Sequence, residues 1–183
     1  MRKIMYYVHQ SLDGFIEGPN GEFDWAQLGP ELGAYSMSLT DRADLFLYGR
    51  TVWEMMSSYW PNAEAMNPDQ HAIEFAPVWR RTPKVVLSTT LQSADWNTRI
   101  VRAADELAAI KEEPGKDILL TGSSTVAAAL AERELLDEYH VVVHPVVLGG
   151  GKPVHQPTGR RTLQLVDSRT FDNRTVLLRH DLV

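Results

Sequence analysis

The sequence predicts an α/β fold: a mixed, mostly parallel sheet with covered faces, ending in an antiparallel hairpin at the C-terminus. Three observations carry this. From Asp44 to Val147, short runs of β-branched and apolar residues alternate with stretches of helical periodicity, the pattern of strand–helix–strand units. The last two apolar runs are joined only by a polar, aspartate-rich link, which reads as a hairpin. No internal repeat, low-complexity tract or linker interrupts the 183 residues, so one domain over 1–183 is expected.

The elements follow in order. Lys3–His9 is a β-rich run, and Phe15–Glu17 is a short extra strand ended by the turn cluster Gly18-Pro19-Asn20-Gly21. Glu31–Arg42 places Leu32, Tyr35, Ser36 and Leu39 on one helical face. Asp44–Tyr48 is a strand leading into a helix over Thr51–Ser58. A helix over Asp69–Arg80 precedes the strand Lys84–Ser88. Ala104–Glu112 is helical, Asp117–Thr121 is a strand, Ser124–Leu135 is helical, and Glu138–Val147 is a long β-forming run. Thr162–Val166 and Val176–His180 form the hairpin, with Asp167–Thr175 as its link.

Composition narrows the partners. Hydrophobic residues make up 44% and charged residues 23%, the profile of a soluble globular chain. No apolar stretch approaches the roughly 20 residues that span a bilayer. The start, MRKIMYYVHQ, turns polar too early for a secretory signal, so a cytoplasmic protein is expected. Cysteine is absent, which removes disulfides, thiolate metal sites and thiol nucleophiles. A net charge of −6 without a basic block argues against nucleic acid and anionic membranes. His140 and His144 are four apart in a strand, hence on one face about 13 Å apart, too far for one metal, so structural roles are favoured.

Three strand-to-helix corners can carry chemistry. Tyr48-Gly49-Arg50-Thr51 combines a glycine, a guanidinium suited to phosphate and Thr51 as a helix cap. Ser88-Thr89-Thr90 sets three hydroxyls at a strand's carboxyl end. Thr121-Gly122-Ser123-Ser124 opens an alanine-rich helix whose first amides can face an anion, although it is neither G-x-G-x-x-G nor a P-loop. Alone, each reads first as an ordinary turn; together they point to a dinucleotide site. A glycine-rich loop, Leu148-Gly149-Gly150-Gly151, would border the cleft.

The segments Ser11-Leu12-Asp13-Gly14-Phe15-Ile16, Gly49-Arg50-Thr51-Val52-Trp53-Glu54, Lys84 to Leu91, Thr121-Gly122-Ser123-Ser124, Leu136-Asp137-Glu138 and Pro145 to Gly151, in this order, resemble the dihydrofolate-reductase-like superfamily. They are most similar to the reductase domain at the C-terminus of bifunctional riboflavin-biosynthesis deaminase/reductases, the RibD C-terminal domain, and its stand-alone relatives. The resemblance covers almost the whole chain. It implies a three-layer α/β/α fold with an eight-stranded mixed sheet, NADPH as hydride donor, a small-molecule substrate and a homodimer. It implies that Gly49, Arg50 and Thr51 hold cofactor phosphates. Ser88 and Thr89 would lie near the adenosine ribose and its 2′-phosphate. Gly122, Ser123, Ser124, Thr125 and Val126 would cradle the pyrophosphate, and Asp13, Gly14, Phe15 and Ile16 would border the nicotinamide. The fused deaminase with its zinc-binding cysteines is missing. For the acidic residue that dihydrofolate reductases carry on their first helix the candidates are Asp24 and Glu31, neither an exact match; Glu31, which opens the helix, is favoured, either as the proton source or as an acid favouring the helix dipole. The implied activity is hydride transfer to a small heterocycle, like that of 5-amino-6-(ribosylamino)uracil-phosphate reductase or dihydrofolate reductase. The alternatives are a non-catalytic NADP(H)-binding module and a structural protein with empty corners.

Overall fold

The strands and helices alternate as β1 (Ile4–Ser11), β2 (Phe15–Glu17), α1 (Pro30–Arg42), β3 (Ala43–Gly49), α2 (Arg50–Tyr59), α3 (Ala63–Met66), α4 (Gln70–Arg81), β4 (Lys84–Leu87), β5 (Thr98–Val101), α5 (Asp105–Glu112), β6 (Asp117–Thr121), α6 (Ser124–Ala131), β7 (Glu138–His144), β8 (Lys152–Pro153), β9 (Leu163–Phe171) and β10 (Thr175–Leu182). This computed structural model describes residues 1–156 and 158–183. Eight strands form one sheet in the order β5-β4-β3-β6-β1-β7-β10-β9. The first six are parallel, and β10 and β9 add an antiparallel edge.

Alternation along the central strands feeds two cores. Ile4, Tyr6, Val8, Leu47 and Leu120 point to the face covered by α5 and α6. Met5, Tyr7, Phe46, Tyr48 and Leu119 point to the face covered by α1, α2 and α4, where Trp79 is fully buried. The result is three layers, α/β/α, because parallel strands need cover on both sides. Burying a side chain such as Leu47 or Phe46 contributes about 1.5–3 kcal/mol each.

The departures from the sequence reading have local causes. β7 stops at His144 rather than Val147 because Pro145 has no N–H for the ladder. α6 stops at Ala131, and Glu134 then adopts φ +57°. The hairpin strands run deep into the supposed link, since only Asp172, Asn173 and Arg174 make the turn, the first two at φ +54° and +51°. β5, α3 and β8 were not expected: they are two to four residues long, below what periodicity resolves.

Candidate functional site

Strand β1 leaves the sheet through α1 on one face, while its neighbour β6 leaves through α6 on the other. Divergence between neighbouring strands opens a crevice at their carboxyl ends, the usual ligand position in such sheets. The third corner lies there. Gly122 (φ +56°) and Ser123 (φ +59°) turn the chain from β6 into α6, and the Gly122 N–H still donates to Tyr7 O (2.9 Å). Left-handed backbone suits glycine, but at Ser123 it carries strain of about 1 kcal/mol.

Gly49 is a glycine because the third corner packs against it. A Cβ there would stand 3.1 Å from Val126 Cγ2 and 3.5 Å from Ser123 Oγ. Its N–H donates to Ser123 Oγ at 2.9 Å. The Ser123 hydroxyl is therefore engaged, and neither α2 nor α6 has a side-chain cap. Two helix starts with free N–H groups thus lie side by side at the crevice. Thr51 is not the cap that the sequence suggested: Gly49 is extended, Arg50 is already helical, and Thr51 is the second residue of α2.

Arg50 spans two corners. Its Nε donates to Glu54 Oε1 (2.7 Å) and its Nη1 to Thr90 Oγ1 (3.0 Å), and the side chain is half exposed. At the second corner Ser88 Oγ accepts from Leu91 N (3.0 Å) and Thr90 N (3.3 Å), so it closes its own turn, and Thr89 is exposed. Arg102, beyond β5, donates from its guanidinium to Ser88 O (2.8 Å) and Leu91 O (2.7 Å), and its backbone N–H donates to Glu106 Oε1 (2.7 Å). Sequence reasoning missed Arg102 because it missed β5. Around the third corner Ser124 is buried, Thr125 is exposed and Val126 belongs to the core, so Val126 offers only its backbone amide.

The segment Asp13–Ile16 is folded over this corner. A Cβ on Gly122 would lie 3.9 Å from Ile16 Cδ1. Gly14 has φ +88°, and Phe15 N–H donates to Ser11 Oγ (2.9 Å). Asp13 accepts from Leu148 N (3.1 Å) and Gly149 N (2.8 Å), tying the segment to the glycine-rich loop. Pairing of β2 with β8 completes the clasp; a Cβ on Gly151 would overlap Glu17 O. Glu31 lies at the exposed start of α1. Its carboxylate accepts the Asp172 N–H, while Asp172 accepts from Glu31 N (3.0 Å) and Leu32 N (3.2 Å). This reciprocal cap fastens α1 to the hairpin turn and is worth about 1 kcal/mol.

Histidines also meet here. His9 Nδ1 lies 2.8 Å from His144 Nε2, and Trp25 stands edge-on to His144 at 5.5 Å. His140, by contrast, is held between Glu138 and Tyr35. The pairing of β1 with β7 aligns Ser11 with His144, a register no sequence spacing reveals. Among the described residues no group of three His, Asp or Glu could hold a metal, and no helix is long and apolar enough to cross a membrane.

Comparison with known proteins agrees with this architecture. The RibD C-terminal domain family matches the chain over residues 2–177. Uncharacterized protein YyaP of Bacillus subtilis (strain 168) is 34% identical over 96% of this chain and 92% of its own. Uncharacterized protein YwjB of the same organism is 26% identical over 93% and 92%. A putative riboflavin biosynthesis protein from Shewanella sp. PV-4 superposes with TM-score 0.75 at 19% identity, covering 100% of this chain and 99% of that one. The Thermotoga maritima diaminohydroxyphosphoribosylaminopyrimidine deaminase/5-amino-6-(5-phosphoribosylamino)uracil reductase superposes with TM-score 0.67 at 12% identity over 100% of this chain and 57% of that one. At those identities the two structures speak for the fold.

Proposed function

Since the chain belongs to the family of RibD C-terminal domains, we propose that it is a cytoplasmic NADPH-dependent reductase of a small heterocycle, of the 5-amino-6-(ribosylamino)uracil-phosphate or dihydrofolate kind. The observation that carries the reading is the pair of uncapped helix starts, at Gly49 and Ser123, beside the crevice between β6 and β1. The amides of Ser123 to Val126 would hold the diphosphate, and Arg50 and Arg102 the adenosine 2′-phosphate. Residues Asp13–Ile16 would cover the nicotinamide end. Bound NADPH supplies a hydride; the protein orients the partners and excludes water. NADPH is expected to quench tryptophan fluorescence and, at a hundred times its Kd, to raise Tm by roughly 5–10 °C. No shift at millimolar NADPH sinks the proposal. The engagement of Glu31 with Asp172 favours one other reading, a non-catalytic NADP(H)-binding module, which binds NADPH but oxidises none with dihydrofolate or the aminouracil phosphate.

The family reading also includes a homodimer, and the hairpin supports it. Leu165 (55% exposed), on the nine-residue edge strand β9, and Val176 (39%), on its neighbour β10, emerge on the face opposite Leu177 and α1. Sedimentation equilibrium at micromolar concentration is expected to give a dimer, converted to monomer by Leu165→Asp. A monomeric wild type rules this out.

A further inference from the structure

Of the five asparagines in the chain, one is followed by glycine. Asn62, Asn97 and Asn173 precede Ala63, Thr98 and Arg174, whose side chains crowd the next nitrogen, and Asn67 precedes Pro68, which has no N–H. Asn20-Gly21 stands in the turn after β2, and both residues are exposed. Gly21 adopts φ +81°, and a Cβ built on it would meet nothing within 4 Å, so the space beside its nitrogen is open. Its N–H donates to Gly18 O (3.0 Å), a bond inside an exposed turn, of the kind that opens most readily.

The contacts of Asn20 decide what a change there would do. Its Nδ2 donates to Glu22 Oε1 and its backbone N–H to Glu22 Oε2, both at 2.8 Å. These bonds, the side-chain one first, hold the Glu22 carboxyl below its usual range. Glu22 in turn closes the loop. Its carbonyl accepts from Gly18 N (2.9 Å) and from Trp25 Nε1 (3.2 Å), and its carboxylate fills the space that a Cβ on Gly18 would need. The same turn buttresses the clasp of β2 with β8: a Cβ on Gly151 would lie 3.0 Å from Gly18 C, and one on Gly150 3.7 Å from Pro19 Cγ.

We propose that Asn20 is a site of spontaneous deamidation, and that the carboxylate it becomes loosens the clasp. The Gly21 nitrogen gives its proton to hydroxide and forms a bond to Asn20 Cγ. The Cγ–Nδ2 bond breaks, and Nδ2 leaves as ammonia with a proton from water. The product is a five-membered succinimide, which water opens. Cleavage at Cγ gives aspartate; cleavage at the main-chain carbonyl carbon gives isoaspartate, with the chain routed through Cγ. The net change is asparagine plus water to aspartate or isoaspartate plus ammonia, with nothing oxidised or reduced. An oxygen of a charged carboxylate then stands where Nδ2 donated to Glu22, and the two acids repel. Isoaspartate also adds a backbone carbon to a turn already held at close quarters. The step needs only water, so it stands or falls apart from the reductase reading.

The test ages the full chain at pH 7 and at pH 9 and maps its peptides by mass spectrometry. The peptide with Asn20 is expected to gain the one mass unit that separates OH from NH2, faster at pH 9, while the other four asparagines keep their amides. An isoaspartyl methyltransferase should label the aged protein. Asn20→Gln, which would have to close a six-membered ring, should gain no mass. The Val154 N–H donates to Gly14 O (3.0 Å) within the clasp. Its hydrogen exchange should run about fivefold faster in aged protein, and in Asn20→Asp made directly, than in fresh wild type, with β6 unchanged. An Asn20 that keeps its amide as long as the other four at both pH values overturns the proposal. Unchanged exchange at Val154 in both the aged protein and Asn20→Asp overturns the loosening of the clasp.

Discussion

Glu138→Gln is expected to lower the unfolding free energy by about 3 kcal/mol, read from the urea midpoint at unchanged m-value. Glu138 is 1% exposed at the start of β7 and gathers partners from α1, from β10, from its own strand and from Lys3 just before β1. Its carboxylate accepts from Arg42 Nη1 and Nη2, Lys3 Nζ and His140 Nε2, each at 3.0 Å, with Arg179 at 3.6 Å. Burial opposes the ionised form, but the hydrogen bonds from His140, Arg42 and Lys3 outweigh it and hold the carboxyl well below its usual range. Glutamine keeps the shape and removes the charge, leaving these donors with a weaker acceptor. The loss sits near the low end for a broken buried pair because Lys3 and Arg42 reach solvent. A depressed carboxyl contributes stability that is full above its unfolded pKa, near 4.3, and is lost as pH falls through the folded value. Wild type should therefore lose stability on acidification below about pH 4, and Glu138→Gln should lack that step. Neutral His9 and His144 add a loss that begins near pH 6.5, where the unfolded rings take up protons, and it persists in the variant. A variant as stable as wild type, with the same acid limb, refutes this account of β7.

How much of this was legible in the sequence depends on the range of the interaction. The central strands and the long helices were, because Ile4 to Val8 and Leu45 to Tyr48 announce burial through local pattern alone. The hairpin's length was not. Residues 167–170 are polar because β9 is an edge strand facing water, and polarity resembles a loop. The corners at Gly49 and Gly122 are strand-to-helix turns, as the sequence suggested, whereas Ser88 leads through a loop into β5 and not into a helix. Gly49 is small because Val126 and Ser123 stand against it, a contact between β3 and α6 that only the strand order creates. Ser88 closes its own turn, as its sequence allowed. Arg102 and the His9–His144 pair stayed hidden because each depends on which strands become neighbours. The nearest sequence signal was a histidine close to the carboxyl end of each of two strands, which carries meaning only once β1 and β7 are known to pair.

Arg50→Ala and Arg102→Ala are each expected to weaken NADPH binding about 10-fold in a fluorescence titration at low salt, and to leave NADH nearly unchanged. Both guanidiniums reach the second corner, Arg50 through Thr90 and Arg102 through the carbonyls of Ser88 and Leu91. A charge-assisted contact to phosphate is worth about 1.5–3 kcal/mol, and partial exposure with salt screening places these two near the bottom of that range. With both arginines on the 2′-phosphate, as proposed, the double variant should lose less than the sum of the single losses. Equal losses for NADPH and NADH would move the arginines to the diphosphate; no loss for either would remove them from the site. Glu54 supplies the internal control. It holds Arg50 at 2.7 Å through an exposed pair one helical turn away, a contact worth about 0.3–0.5 kcal/mol. Glu54→Gln frees the guanidinium for phosphate, so NADPH affinity should rise up to about twofold in the wild-type background and stay unchanged once Arg50 is alanine.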